Sequence, residues 1–347
     1  MTSRAPAGVS KPGRSRARRA AFAFLVVLAC ASGCARERAS EPATLEASSA
    51  AGQLLGPDSR FTRTSLFAPT RRLFPLAEGN EWEYTIHTSN TVVTDSGPQP
   101  QESHDQPWVA EIDGTQQRGE QTYFRLEEYD PRAVIRPYVI LTLLRQDASG
   151  LFVDDLAGFV ASERVAASGG GVSGALARSL RDYVDRTPAT AAHREAFRRA
   201  ADRTAEKLES IALGAGRAAG PDANELSFLR YPLFVGAHWI VRTSPLFERA
   251  VVARERVRLP GGGSAAAWRL RGTSELFDAE DRVSYWYGAL GLVRLSVRLV
   301  TIAVDDNGGI IGRFVYESDQ VLTAARLGGS GPARGSNAGQ DAPGGGE

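Results

Sequence analysis

The residues in this chain that could do chemistry are few: four histidines, two cysteines and scattered acidic groups. His87, His104, His193 and His238 fall at no metal-ligand spacing, and the chain has neither a His-Glu-x-x-His motif nor a Cys-x-x-Cys pair. Gly169 to Gly174 matches Gly-x-Gly-x-x-Gly, but it follows no clear strand and sits in no βαβ unit, so it reads as a linker. Gly171-Val172-Ser173-Gly174-Ala175 stops one residue short of a nucleophile elbow. Asp278, Glu280 and Asp281 lack the rest of a calcium loop and read as a solvated turn, as does Asp305-Asp306-Asn307-Gly308. An acid pair such as Glu127 and Asp281 would serve hydrolysis only if the fold brought the two together. The expectation is a chain that is not an enzyme, with no catalytic residue, metal or cofactor.

The aromatic residues are the remaining candidates. Trp82, Trp108, Trp239, Trp268 and Trp286, with Tyr285 and Tyr287, all fall in strand-like stretches. They either pack a core or line a cavity that holds an acyl chain or hydrophobic peptide.

The elements that must position them follow from a repeat. Phe74-Pro75-Leu76 to Trp82 and Tyr231-Pro232-Leu233 to Trp239 both read aromatic-Pro-Leu-x-x-Gly-x-x-Trp, offset by 231 − 74 = 157 residues. Pro suits the approach to a strand because it donates to no ladder, and Gly supplies a turn. Trp82, Tyr84 and Ile86 then alternate with polar residues, which marks a half-buried strand. An internal duplication is the natural reading, and such repeats decide the fold assignment.

Around each motif the chain reads as short antiparallel strands. Residues 70–156 form a first β module: Trp108–Ile112, Thr122–Tyr129, Val134–Arg145 interrupted by Pro137, and Leu151–Val153. Thr88 to Pro107 reads as a loop or long hairpin tip, and Asp113-Gly114 as a turn. Residues 223–328 form a second module, with strands at Ala250–Leu259, Ala266–Arg271, Val283–Gly288, Leu292–Leu299 and from Phe314. Between them, residues 157–222 turn rich in Ala, Arg and Glu. Leu176, Leu180, Tyr183 and Val184 sit at helical spacing, and Phe197, Ala201, Leu208 and Ile211 make a second apolar stripe. Thr187 and Pro188 read as the N-cap and first residue of that second helix. This helical insertion is a strut on the sheet, or else a gate over a cavity or a partner-docking element. The fold class is therefore mainly β with a helical insertion, a curved antiparallel sheet built from two related β-meander modules.

The N-terminus addresses the chain. Residues 1–33 carry six basic side chains and no acidic one, so 41 − 6 = 35 basic groups face 40 acidic ones beyond residue 33, a net −5. That balance argues against nucleic acid as a partner. The basic run Arg14–Arg19 and the apolar run Ala20–Ala29 form a signal peptide, short of the roughly 20 residues a spanning helix needs. Ala31-Ser32-Gly33 then precede Cys34, which resembles a bacterial lipobox. The resemblance implies a diacylglyceryl group on Cys34. Cys30 and ordinary secretory cleavage are the alternatives, and Arg18-Arg19 leaves a twin-arginine leader open. Once the leader is removed Cys34 is the last cysteine, so no disulfide can form within the chain. Residues 34–69 read as a flexible tether with an r.m.s. span of roughly 30 Å, and 329–347 as a disordered tail.

The two motifs, the Asp147–Phe152 turn and strand, and Trp286-Tyr287 to Gly291-Leu292-Val293 resemble a broad group of uncharacterised bacterial lipoproteins with repeated [FY]PLxxGxxW β modules. The layout is more loosely similar to lipoprotein carriers of the LolA/LolB kind. The resemblance implies an outer-membrane lipoprotein facing the periplasm, surface exposure remaining open. The chain is expected to bind a hydrophobic or lipidated ligand, or alternatively to act as a structural or assembly factor for another envelope protein.

Overall fold

A computed structural model describes residues 73–99, 101–132, 140–154, 172–211 and 225–328. The leader, Cys34, the tether, Pro137, Gly169–Gly171 and the tail from 329 lie outside the described residues.

The alternation that begins at Trp82 builds β1 (Glu81–Thr94), with Trp82, Tyr84 and Ile86 buried as expected. The expected loop from Thr88 to Pro107 is instead strand. β1 continues to Thr94, β2 (Gly97–Pro98) pairs at the tip, and β3 (Glu102–Arg118) begins five residues before Pro107. Polar composition misleads there because strand pairing satisfies the backbone whatever side chain it carries. Nor is Asp113-Gly114 a turn. β3 passes through it with a shift of register, and the chain reverses at Gly119, φ 59°. β4 (Gln121–Tyr129), β5 (Ile140–Gln146) and β6 (Gly150–Asp154) complete the first meander.

The second half supplies β7 (Glu225–Arg230), β8 (His238–Thr243), β9 (Leu246–Arg258), β10 (Ser264–Ser274), β11 (Arg282–Gly288), β12 (Gly291–Val304) and β13 (Ile310–Arg326). The strands run β7-β6-β5-β4-β3-β1-β13-β12-β11-β10-β9-β8 in one sheet, antiparallel throughout. The halves are thus not separate modules: β1 pairs with β13 along its whole length, and β7 pairs with β6 of the first half. The free edges nearly meet. The Trp239 indole donates to Ser227 O at 3.0 Å, and Arg249 Nη1 donates to Phe228 O at 2.8 Å. The result is a nearly closed barrel.

Both copies of the repeated motif make the same turn. Gly79 N donates to Ile112 O (2.8 Å), Ile112 N to Asn80 O (2.8 Å) and Asn80 N to Ala77 O (3.1 Å). At the same offset, Gly236 N donates to Val251 O (2.9 Å), Val251 N to Ala237 O (2.8 Å) and Ala237 N to Phe234 O (3.0 Å). Gly79 and Gly236 have φ 78° and 95°, a conformation that only glycine adopts freely.

The insertion folds as α1 (Val172–Arg186), a 3₁₀ turn (Pro188–His193) and α2 (Arg194–Ile211). Val172–Gly174, expected within a linker, opens α1. Thr187 stands at the N-cap of the 3₁₀ turn with Pro188 as its first residue, but its side chain makes no capping hydrogen bond. Its hydroxyl donates back to Tyr183 O at 3.0 Å, and the chain passes through the 3₁₀ turn before α2 begins. Both expected apolar stripes are buried. They fill the concave side of the sheet at the end away from the motif turns. Val92 N donates to the Tyr183 hydroxyl (3.2 Å), the Tyr183 and Phe314 rings meet edge to face, and Thr204 and Thr301 share a hydroxyl hydrogen bond of 2.8 Å. Phe197 lies over Gly312.

Sheet interior and helices share one continuous apolar core. The outer face carries ion pairs instead, including Arg294–Asp319 (2.7 Å), Arg326–Glu83 (2.9 Å) and Arg125–Asp113. Apolar inside and charged outside is the reverse of a membrane-spanning barrel, whose outer band is apolar.

Candidate functional site

The aromatic residues do not share one wall. Register places Trp82, Trp108 and Trp239 on the inner face, level with Ala110, Tyr84 and Arg249 respectively. Each is buried, and the Trp82 indole is tied down by Leu290 O at 2.6 Å. Trp286 stands on the opposite face. Its indole donates to Glu255 Oε1, and the Arg294 guanidinium lies 5.3 Å from its ring centroid. Trp268 lies half-buried where β9 and β10 leave the rim, with Arg254 stacked at 5.4 Å. Tyr285 and Tyr287 face inward, their rings stacked at 6.3 Å.

Between the helices and the Phe74–Trp82 end lies a layer that is aromatic but not apolar. Arg249, on β9, is fully buried, with its guanidinium 4.1 Å from the Phe228 centroid and 4.2 Å from that of Tyr285. Glu128, on β4, is 1% exposed. Burial raises its carboxyl to about 8, and the Trp108 indole, which favours the charged form, offsets only part of that. Burial likewise raises the Tyr84 hydroxyl well above its ordinary range, with Glu128 and Tyr287 adding to the effect. Tyr285 and Tyr287 are raised by burial against the opposing charge of Arg249. Tyr84 OH donates to Leu292 O at 3.2 Å. Glu128 Oε2, Arg249 Nε and the hydroxyls of Tyr285 and Tyr287 are buried without a partner of full hydrogen-bond geometry, the two hydroxyls lying beside the Arg249 guanidinium. A buried polar atom left unpaired costs about 1–3 kcal/mol. The layer could therefore receive a polar ligand group through both a neutral acid and a cation.

Sequence reasoning found Tyr285 and Tyr287 here but missed Glu128 and Arg249. Both look like surface charges in strands of alternating polarity. Only their position on the inward face, set by register, marks them.

The acidic candidates resolve differently. Asp281 is not in a solvated turn. Lys207 Nζ, fully buried on α2, lies 2.7 Å from Asp278 Oδ2 and from Asp281 Oδ2, and donates to Val300 O at 3.0 Å. Asp281 also accepts from Val300 N and Asp278 N, each at 2.7 Å. The signal was available: Lys11 and Lys207 are the chain's lysines, so one lysine stands alone among arginines beyond the leader. Glu127 is remote from this cluster. It lies near Arg125 on β4, with β3, β1, β13 and β12 between it and β11. Asp305 closes the β12–β13 turn by accepting from Asn307 N and Gly309 N.

His87 Nδ1 meets Asp105 on the outer face at 2.6 Å, while His104, His193 and His238 are exposed elsewhere. Among the described residues no group of three His, Cys, Asp or Glu could hold a metal ion. A groove of about 470 Å³ runs between the exposed faces of α1 and α2. Two ion pairs cross its lining, Arg181 with Asp202 at 2.5 Å and Arg198 with Asp185 at 2.8 Å.

No family model and no curated protein matches this chain. Two solved structures align with it at low similarity. One is a Bacteroides fragilis protein of YmcC-like fold, regarded as exported, at 12% identity and TM-score 0.30, covering 74% of this chain and 99% of that one. The other is lipovitellin, a structure of lipid–protein interactions, at 6% identity and TM-score 0.25, covering 74% of this chain and 26% of that one.

Proposed function

We propose that this chain is a lipid-anchored protein of the bacterial cell envelope, non-catalytic, whose sheet interior takes a hydrophobic or lipidated ligand. The leader and Cys34 support the anchor. The layer of Glu128, Arg249, Tyr285 and Tyr287 carries the ligand reading, because it combines aromatic walls with buried polar atoms whose hydrogen bonding is incomplete. An acyl chain would lie along the aromatic rings and its polar end would meet these atoms.

Among the described residues the sheet interior and the helices share one apolar core, so a ligand reaches the layer by displacing the helical plug. Polar ties that hold that plug include Lys207 to Asp278 and Asp281, Thr204 to Thr301, and Arg242 Nη2 to Ser210 O at 2.5 Å. Native mass spectrometry with lipid extraction, on protein purified from bacterial envelopes, tests the reading. A retained lipid or lipopeptide, more abundant in Lys207→Met, is the expected result. A bare mass for both proteins, where a known lipid carrier stays loaded, overturns it.

A second reading has its own observation. Phe234, Val235 and Ile240 are large apolar side chains exposed at the start of β8. Exposed apolar side chains so grouped suit an assembly factor that binds another envelope protein. Cross-linking from residue 240 in whole envelopes, with no discrete product, would remove this alternative.

A further inference from the structure

The β9–β10 hairpin leaves the barrel. β8 pairs with β9 only as far as Ala250, and β11 pairs with β10 only as far as Ala267. Arg254, Arg256 and Arg258 therefore overhang the rim. They share one face of β9 with Trp268, Ala266 and Ser264 opposite, about 7 Å apart along the strand. All three arginines are exposed, and neither Arg256 nor Arg258 has a carboxylate partner among the described residues. The acid between them, Glu255, points to the other face and is held there by the Trp286 indole. Beside the arginines Trp268 is half-buried, the amphipathic position that tryptophan takes at a membrane–water boundary.

This hairpin projects from the same end at which the described chain begins and ends. Trp82 bonds Leu290 O in the adjoining β11–β12 turn, and a Cβ on Gly288 in β11 would strike Ala266 O at 2.6 Å. Gly328 N donates to Asn80 Oδ1 at 2.6 Å, which puts the exit beside the first motif. The described chain begins with Leu73 and Phe74 at this end, and the helices occupy the other.

We infer that the β9–β10 hairpin is a docking surface for an anionic phospholipid bilayer, the one that holds the Cys34 lipid. The inference rests on the anchor reading. Its contribution is orientation: the anchor holds the barrel near the leaflet, and the arginines turn the motif end toward it. Each basic side chain at an anionic leaflet adds roughly five-fold in partition, so losing two costs on the order of 25-fold.

The test uses the whole mature protein with vesicles of phosphatidylcholine, with and without phosphatidylglycerol. Hydrogen exchange across residues 254–266 should slow on the anionic vesicles alone. High salt should reverse the slowing, and so should Arg256→Glu/Arg258→Glu. Arg256→Gln/Arg258→Gln, which keeps the strand polar without reversing charge, should lose most of it. Equal exchange on both vesicles, or protection that survives both double variants, overturns the inference. Protection by heparin but not by vesicles also overturns it, in favour of a glycan surface. If Cys34 carries no lipid, the protein floats with neither vesicle by anchor alone. Flotation that requires phosphatidylglycerol together with Arg256 and Arg258 would then still support the hairpin, and its absence would count against it.

Discussion

Lys207 Nζ and Asp281 Oδ2 meet at 2.7 Å with both side chains wholly buried, and this pair joins α2 to the loop before β11. It fixes a helix to a sheet through the one lysine that follows the leader.

Breaking such a pair strands the surviving charge. Lys207→Met should therefore cost about 3–5 kcal/mol in urea unfolding, because Asp281 remains buried. Lys207→Met/Asp281→Asn should recover part of that loss. Equal stability of the single variant and the parent would show that the tie contributes nothing net.

Glu128 makes stability depend on pH. Its carboxyl titrates near 8 in the folded chain and in the ordinary carboxylate range when unfolded, so the native state binds the extra proton between those values. Stability should fall as pH rises from about 4.5 to 8 and then level off, for a total of roughly 3–5 kcal/mol. Glu128→Gln should abolish that slope and be the more stable protein at pH 8. Thermal melts of both proteins across this range decide the matter, and parallel curves would refute the assignment.

Phe197 and Gly312 fit each other. Phe197→Ala should cost about 3–5 kcal/mol by leaving a cavity under the plug. A Cβ at Gly312 would stand 2.4 Å from Val93 O and 2.9 Å from the Phe197 ring. Gly312→Ala should thus be destabilising even in the Phe197→Ala background, since the nearer clash is with backbone. Full rescue in the double variant would place the conflict on the ring instead.

The two motif turns should respond alike. Nothing lies within 4 Å of a Cβ at Gly79 or Gly236, so alanine there meets only the backbone penalty of positive φ, about 1–2 kcal/mol. Chemical denaturation of Gly79→Ala and Gly236→Ala should give similar losses. A large difference would mean that the two turns are not equivalent in the folded protein.

The sequence by itself determined much of the framework. Alternation placed Trp82, Tyr84 and Ile86 inward, helical spacing placed Phe197, Ala201, Leu208 and Ile211 in one buried stripe, and the repeat located two turns that share their hydrogen bonds. These are local properties, fixed by periodicity and by the φ that glycine allows. Thr88, Ser89 and Asn90 were illegible because polar residues in a strand look like a loop until a partner strand is known. Tertiary structure alone decided that β1 closes on β13, that β7 joins the first half, and that Lys207 reaches Asp278 and Asp281. It also turned Glu128 and Arg249 inward. A charge is read as exposed from sequence, and only the register of distant strands, set by pairing across the whole sheet, assigns it to the interior.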